Sequence, residues 1–459
     1  MSYISVSELE DASRTIPLRP VLKAGFEEWK NGASQKQRHW VEDSGFEATA
    51  GQFCAVPDEH GGIEYWLFGL DDKEFLYQLS PLVRRLPAGV YRLDCDWSRE
   101  RRLKASLGWG LAAYRFSRYK AAKKELPALV LAEDIEHEVR ALCTAQCLVR
   151  DLVNTPTEHM GPAQLADAFA READRFGADT DSVVGGDLLT RNFPAIHAVG
   201  RASDRDPRLL EMTWGEPEAP VLALVGKGVC FDTGGLDLKT AAGMLLMKKD
   251  MGGAAHALAL AGLVMEHRLP VRLLVLIPAV ENAVSGNAYR PGDVIATRKG
   301  LSVEIGNTDA EGRVILSDAL AYACEQGPDL VIDFATLTGA ARIALGADLP
   351  PLFSNDSDVA MAIQAAGDEV EDPLWTMPLY QPYRKQIESP VADLSNIGKS
   401  SYGGCITAAL FLEHFVEPDI PWVHIDTFAW NQANRPGRPQ GGEALGLRAV
   451  FRYLQTRYG

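Results

Sequence analysis

The sequence lacks the patterns that mark several common classes of protein. Its seven cysteines are scattered, without a C-x-x-C pair or a ligand-spaced cluster with histidine, which indicates a reducing compartment. No G-x-S-x-G and no H-E-x-x-H occurs, so a nucleophile-elbow hydrolase and a zincin are excluded. The N-terminus has no basic flank followed by an apolar core, and the most apolar stretch, 269–280, contains an arginine and two prolines. We therefore predict a cytoplasmic protein with no signal peptide and no membrane partner.

Positive charge is also scarce. The 46 lysines and arginines are outnumbered by 62 acidic residues, giving a formal net charge of -16, so the whole molecule repels nucleic-acid phosphates and anionic lipid. The exception is the segment 99–124, where nine basic residues are interleaved with four aromatic ones. This segment leaves open a nucleic-acid-binding protein, but we favour a helix with a solvated basic face or a subunit contact.

The order of apolar runs predicts an α/β fold in two parts. Up to residue 133, short β-rich runs mix with helical stretches at 73–85 and 101–123, which predicts a small N-terminal α/β domain. Residues 134–153 predict a connecting helix with one broad apolar face. In 154–459, continuous apolar runs alternate with helical segments, as is typical of a mainly parallel central sheet flanked by helices. This larger C-terminal α/β domain is the candidate catalytic domain.

Two glycine-rich segments of that domain carry the candidate chemistry. Each follows a predicted strand, and ligands of open parallel sheets bind beyond the carboxyl ends of the strands. Asp309 and Glu311 alternate in what we interpret as an extended segment, so that both point the same way. The polar residues of the two segments are Lys227, Asp232, Lys239 and Asp250 in 225–255, and Asp309, Glu311 and Arg313 in 306–320.

Four carboxylates meeting at one point require compensating cations, because like charges raise one another's pKa. Two divalent ions would balance them. Oxygen ligands suit zinc, manganese, magnesium or cobalt, and the sequence does not choose among these metals. One of the two lysines could be a neutral ligand, with Lys227 as the candidate because it directly follows a strand. Lys239 and Arg313 would then leave the pocket net positive, which suits a developing oxyanion or a bound small anion.

The same residues resemble the cytosol (leucyl) aminopeptidase family of two-metal exopeptidases. The resemblance covers roughly 150–459 and is carried by the motifs VGKG, FDTGG, MKKDMGGAA, NTDAEGR and ATLTGAARIALG. It implies that a water activated by two metal ions attacks the first peptide bond of a peptide with a free N-terminus. It also implies a homo-hexamer. FDTGG replaces the more usual FDSGG, and Leu245 and Leu246 stand where many members carry an acid, so the preferred first residue stays open.

The resemblance further implies a role for each site residue. Lys239 would stabilise the oxyanion, and Arg313 would hold a bicarbonate ion as general base. The groups implied are Lys227, Asp232, Asp250 and Glu311 as ligands of one ion; Asp232, Asp309 and Glu311 as ligands of the other; Gly312, Arg313 and Leu337 around the bicarbonate; and Met247, Thr336 and Gly339 lining the pocket for the first side chain.

Two other functions remain open on the residues alone. The charge balance of the site suits a two-metal phosphoesterase equally well. A non-enzymatic nucleic-acid-binding protein would use the basic segment 99–124.

Overall fold

The computed structural model describes residues 2–9, 15–72, 75–121 and 124–459. They form two compact units. The N-terminal unit comprises Met1–Cys147 with Ala433–Gln440, and the C-terminal unit comprises Leu148–Gln432 with Gly441–Gly459. The division falls inside the helix Glu133–Asn154, which covers the predicted connecting helix. None of the helices in the described ranges is long and apolar enough to cross a membrane.

The N-terminal unit contains a mixed sheet in the order β1-β6-β5-β2-β4-β3, parallel except for the β3/β4 pair. Its described strands are β1 (Tyr3–Ser5), β2 (Ile16–Leu22), β3 (Phe53–Pro57), β4 (Ile63–Leu70), β5 (Val90–Leu93) and β6 (Ala128–Leu131). The helices are α1 (Phe26–Gly32), α2 (Gln35–Asp43), α3 (Ser80–Arg85), α4 (Arg99–Ala113) and α5 (Glu133–Asn154), with 3-10 turns at Val6–Glu8 and Lys23–Gly25.

Both helices predicted in this unit are shorter than expected. Of the described residues in the stretch 73–85, only those of α3 are helical, and Pro81 lies in the first turn of this helix, where its missing N–H is not needed. The stretch 101–123 is helical only to Ala113, since Tyr114 takes an extended conformation where the buried run of α4 ends. Residues 73, 74, 122 and 123 lie outside the described part of the chain.

Several basic residues of the segment 99–124 pair with acidic residues of the same unit. Arg99 lies 2.8 Å from Glu138, Arg101 lies 2.9 Å from Asp72, and Arg102 lies 2.8 Å from Asp134. Each guanidinium that is committed to a carboxylate is less available to a phosphate. This arrangement favours a solvated helix face over a nucleic-acid surface.

The C-terminal unit is built on a nine-stranded sheet in the order β16-β15-β18-β14-β9-β11-β8-β7, with β10 pairing beside β11. The described strands of this unit are β7 (Asp179–Val184), β8 (Arg208–Trp214), β9 (Val221–Gly226), β10 (Gly228–Asp232), β11 (Arg272–Asn282), β12 (Val294–Ala296), β13 (Ser302–Glu304), β14 (Leu330–Ala335), β15 (Pro351–Ser354), β16 (Trp375–Thr376), β17 (Leu394–Ser395), β18 (Trp422–Asp426), β19 (Trp430–Asn431) and β20 (Gly441–Gly442).

Helices cover this sheet. They are α6 (Pro162–Phe176), α7 (Asp187–Thr190), α8 (Pro194–Gly200), α9 (Ala241–Met244), α10 (Gly252–Glu266), α11 (Glu311–Glu325), α12 (Gly339–Leu345), α13 (Ser357–Glu369), α14 (Gly404–Glu413) and α15 (Leu447–Tyr458), with 3-10 turns at Thr157–His159, Met247–Met251 and Gln381–Gln386.

The centre of the large sheet is parallel, as predicted. Strands β10, β11, β9, β14 and β18 run in the same direction, whereas β8 and β15 run opposite to them and β7 pairs antiparallel with β8. The central strands are buried on both faces, which explains their continuous Val, Leu and Ile runs. The fold class, a small α/β domain followed by a larger one with a mainly parallel sheet, is therefore confirmed.

Candidate functional site

The site lies at the edge of the sheet where the five parallel strands end. Lys227 directly follows β9, Asp232 is the last residue of β10, Asn282 ends β11, Thr336 follows β14 and Asp426 ends β18. Because parallel strands present their carboxyl ends at the same edge, residues far apart in the sequence meet there.

The first glycine-rich segment makes a tight turn that the glycines permit. Gly234 and Gly235 have φ values of +88° and +64°, and a Cβ on Gly234 would lie 2.4 Å from the carbonyl oxygen of Asp237. The turn aims the Gly234 N–H at Asp232 Oδ1 over 2.8 Å. Asn282, which the sequence interpretation did not single out, donates to the same oxygen over 2.8 Å. Asp232 is thus oriented by groups that leave its second oxygen for the cavity.

Helix α10 reaches the sheet closely because its first residues are small. A Cβ on Gly253 would lie 2.1 Å from the carbonyl oxygen of Phe334, and the Ala254 N–H donates to the carbonyl of Lys227 over 2.8 Å. This contact places the turn Met247–Met251, and with it the Asp250 carboxylate, against the end of β9. The small residues of the MGGAA motif therefore allow the close approach of α10 to the sheet that places Asp250 beside Lys227.

The second segment differs from the predicted extended conformation. Asn307 accepts the Asp309 N–H over 2.7 Å in a tight turn, and Glu311 is the first residue of α11. A carboxylate is favoured at a helix N-terminus, which explains why the chain turns there rather than continuing as a strand. Gly312 is required by the neighbouring lysine, because a Cβ on it would lie 2.4 Å from Lys227 Cε. Asp309 and Glu311 nevertheless face the same point.

The structure brings the predicted lysines and carboxylates into one cluster. Lys227 Nζ lies 2.7 Å from Asp250 Oδ2 and 2.9 Å from Glu311 Oε1. Lys239 Nζ lies 2.6 Å from Asp232 Oδ2 and also contacts Asp309 Oδ1. Asp232, Asp309 and Glu311 can each offer one ligand oxygen, with these atoms within 4.8 Å of one another.

The cluster has an excess of negative charge, and this excess raises the pKa values of two of its carboxylates. Burial and the neighbouring Asp232 raise the pKa of Glu311 to about 8, and burial and Asp250 raise the pKa of Asp232 to about 6. Glu311 Oε2 is buried without a hydrogen-bond donor in the described chain. The cluster contains four carboxylates but only two ammonium groups, and one carboxylate oxygen has no donor among the described residues. This excess of hard oxygen ligands fits the binding of divalent cations.

Lys227 is charged in this arrangement. Its burial would lower its pKa, but Asp250 and Glu311 outweigh burial and raise the pKa of Lys227 well above its usual value. A neutral Lys227 amine, as predicted for a metal ligand, therefore requires cations to neutralise those two carboxylates first.

The expected anion site is assembled only in part. Arg313 is buried, its Nη1 donates to the Asn396 carbonyl over 2.8 Å, and its Nε has no acceptor among the described residues. The Gly312 N–H lies in the first turn of α11, where no intrahelical acceptor is available. The Leu337 N–H, in contrast, donates to Asp426 Oδ1 over 2.9 Å, so an anion would have to share this donor with Asp426.

A cavity of about 250 Å³ opens beside the cluster. Its walls include the predicted pocket residues Met247, Thr336 and Gly339, and Thr336 Oγ1 donates to Asp250 Oδ1 over 2.8 Å. The sequence interpretation missed several further wall residues, four of which carry charged or aromatic side chains, because nothing in the sequence shows which side chains turn inward. These four are Lys249, Arg342, Asp426 and Phe428.

Lys249 is the unexpected member of the wall. It is only 5% exposed, and its Nζ lies 4.9 Å from the centre of the Phe428 ring. Burial lowers the pKa of Lys249 to about 8.

Comparison with known proteins places the chain in a family. Residues 147–451 match the catalytic domain of the cytosol aminopeptidase family, and residues 16–132 match the M17 aminopeptidase N-terminal domain. A probable cytosol aminopeptidase of Syntrophotalea carbinolica is 42% identical over 364 residues, covering 75% of this chain and 73% of that relative.

Solved structures agree over nearly the whole chain. The crystal structure of a cytosol aminopeptidase from Coxiella burnetii superimposes with a TM-score of 0.96 at 48% identity and covers 100% of both chains. The bottromycin maturation enzyme BotP in complex with Mn superimposes with a TM-score of 0.88 at 33% identity, covering 97% of this chain and 100% of that one. The chain belongs to the cytosol aminopeptidase family of metal-dependent peptide hydrolases.

Proposed function

We propose that the enzyme removes the first residue from peptides with a free N-terminus, using two divalent cations held by the cluster of lysines and carboxylates. The observation that carries the proposal is an acidic cluster in which Asp232, Asp309 and Glu311 can each offer one ligand oxygen, with these atoms within 4.8 Å of one another. Two bound cations would polarise a carbonyl and lower the pKa of water towards neutrality. Manganese or zinc is the proposed metal, with magnesium and cobalt as alternatives; BotP, a structural relative, has been solved in complex with Mn.

The ligand assignment follows the family resemblance. Lys227, Asp232, Asp250 and Glu311 would hold one ion, and Asp232, Asp309 and Glu311 would hold the other. The contacts of these carboxylates with Lys227 and Lys239 support the assignment, because they place all of them in one cluster. Cations would take over the carboxylates that now pair with Lys227, so that its amine could coordinate in the neutral form.

Lys239 and Arg313 would act on the substrate side. Lys239 would keep its charge and, once Asp232 and Asp309 are engaged by cations, turn its ammonium to the carbonyl oxygen of the scissile bond, where negative charge develops. Arg313, through its free Nε and with the Gly312 N–H, would hold a bicarbonate ion, which would supply a general base. The substrate's first side chain would enter the cavity between Met247 and Gly339.

Location and assembly are proposed on the family and on the surface. The seven thiols are all free, and relatives carry the name cytosol aminopeptidase, which supports a cytoplasmic enzyme. A homo-hexamer is proposed from the family resemblance. The exposed Leu236, Leu238 and Leu245 beside the site, 41%, 62% and 79% exposed, are the kind of apolar surface that a subunit contact covers.

Metal removal tests the proposed function. After chelation and dialysis, hydrolysis of free aminoacyl substrates should fall at least about 10²-fold and recover on addition of manganese or zinc, because the charge stabilisation of the site would be lost and restored. The measurement is the initial rate on a panel of aminoacyl amides. An N-acetylated peptide serves as the control, and its hydrolysis at the rate of the free peptide, or full activity without metal, would contradict the proposal.

A further inference from the structure

We propose that the catalytic cavity selects peptides whose first residue carries a side-chain carboxylate, with Lys249 and Arg342 as the recognising cations. The inference rests on the proposed aminopeptidase function and adds the class of substrate to it. It is carried by two cations on the cavity wall that lack acidic partners in the protein.

Lys249 is a buried ammonium that faces the cavity. The side chain makes a cation-π contact with Phe428 but has neither an ion pair nor a hydrogen-bond acceptor within the described ranges. The contrast with Lys227 is sharp, since that buried lysine contacts Asp250, Glu311 and the Thr336 carbonyl. A buried charge without an acceptor is costly, and an acceptor on a bound ligand would remove that cost.

Arg342 adds a second cation to the same wall. It stands on α12, its guanidinium carbon lies 4.5 Å from the centre of the Phe428 ring, and no carboxylate of the described chain lies at ion-pair distance from it. Lys249 and Arg342 thus share one aromatic ring and one cavity. Two like charges gathered around an open space favour an anion between them.

The acids of the protein that line this cavity are already engaged. Asp426 accepts hydrogen bonds from the Leu337 and Thr338 N–H groups and from the Thr338 hydroxyl. The four carboxylates of the cluster pair with Lys227 and Lys239. A carboxylate supplied by the substrate therefore meets cations that are not neutralised by ion pairs.

The cavity also provides an apolar surface for the stem of such a side chain. Phe428 and Met247 lie on its wall, and its volume of about 250 Å³ admits a side chain of medium size. The methylene groups of glutamate or the methylene of aspartate would pack on the Phe428 ring while the carboxylate reaches Lys249.

The test compares charged and isosteric neutral first residues. We expect metal-loaded enzyme to hydrolyse Glu-Ala over Gln-Ala, and Asp-Ala over Asn-Ala, by a kcat/KM ratio of at least about 10-fold, the discrimination that a charge-assisted hydrogen bond provides. Lys249→Met should reduce the Glu-Ala value about 10-fold to 100-fold and leave Gln-Ala and Leu-Ala within about threefold. Arg342→Gln should reduce the same ratio in the same direction.

Lys248→Met is the matched control. Lys248 precedes Lys249 in the same turn but does not line the cavity. Its Nζ donates to the Asn154 carbonyl over 2.7 Å and lies 5.5 Å from the centre of the Trp430 ring. Its replacement should leave the Glu-to-Gln ratio unchanged. If Lys249→Met does not fold, inhibition of wild-type Leu-Ala hydrolysis decides: free glutamate should inhibit at a concentration at least about 10-fold lower than glutamine.

The outcomes separate the two proposals. Hydrolysis of Leu-Ala and Gln-Ala at least as fast as Glu-Ala, a ratio unaffected by Lys249→Met, or equal inhibition by glutamate and glutamine would overturn the inference while leaving the aminopeptidase proposal intact. Failure to hydrolyse any free peptide would instead refute the proposed function itself.

Discussion

Asp250→Asn is expected to lower kcat/KM at least about 10²-fold and to reduce the number of divalent ions bound per chain. Asp250 is 3% exposed, and its Oδ2 lies 2.7 Å from Lys227 Nζ. Asparagine has the same shape and can keep the hydrogen bond from Thr336, so the change removes charge from the cluster with little loss of packing. Kinetics on an aminoacyl amide together with metal analysis of the purified protein measures both effects.

Asp237→Asn is the matched control for this prediction. Asp237 lies on the neighbouring turn, but its Oδ2 accepts the Thr308 N–H over 2.8 Å and the Thr308 hydroxyl over 3.1 Å. An amide oxygen can accept the same bonds, so activity and metal content should change little. Full activity in Asp250→Asn, or an equal loss in both variants, would reject the role assigned to Asp250.

Lys239→Met is expected to lower kcat at least about 10²-fold, the loss seen when one oxyanion donor is removed, while metal content stays at the wild-type level. Lys239 lies 2.6 Å from Asp232 and lines the cavity, so its ammonium is close to where the scissile carbonyl would sit. A role confined to the transition state lowers kcat and kcat/KM together, with little change in KM.

The pattern across variants distinguishes this role from a structural one. Lys239→Met should melt close to the wild-type temperature, bind its metals and still turn over slowly, unlike Asp250→Asn, which should lose metal. Loss of metal from Lys239→Met would make Lys239 a support for the carboxylates, and unchanged kcat would exclude it from the chemistry.

The large sheet could be predicted because its central strands form recognisable apolar runs in the sequence. The runs within β9, β11, β14 and β18 are continuous and apolar, as strands buried on both faces must be. The N-terminal helices were overestimated since helical composition does not show where a buried face ends, as at Tyr114. The turn at Asp309 departs from the predicted extended conformation because the Asn307 side-chain oxygen accepts the Asp309 N–H, a contact that the sequence pattern does not show.

Some residues of the site could be predicted from the sequence, and others could not. Lysines and acids beside glycine-rich turns stand out in the sequence, and the structure gathers those at 227, 232, 239, 250, 309 and 311. Lys249 and Asn282 did not stand out, because their importance depends on which way a side chain points and on contacts between strands distant in sequence. The Leu337 N–H was expected beside an anion, and only the structure shows Asp426 as its acceptor.

Anomalous diffraction from crystals soaked with manganese or zinc tests the central claim most directly. The account predicts two metal peaks in each chain, both among the side chains of Asp232, Asp250, Asp309 and Glu311, with the Lys227 amine on one of them. Density without a metal peak among these four carboxylates, in crystals of folded protein, would contradict it.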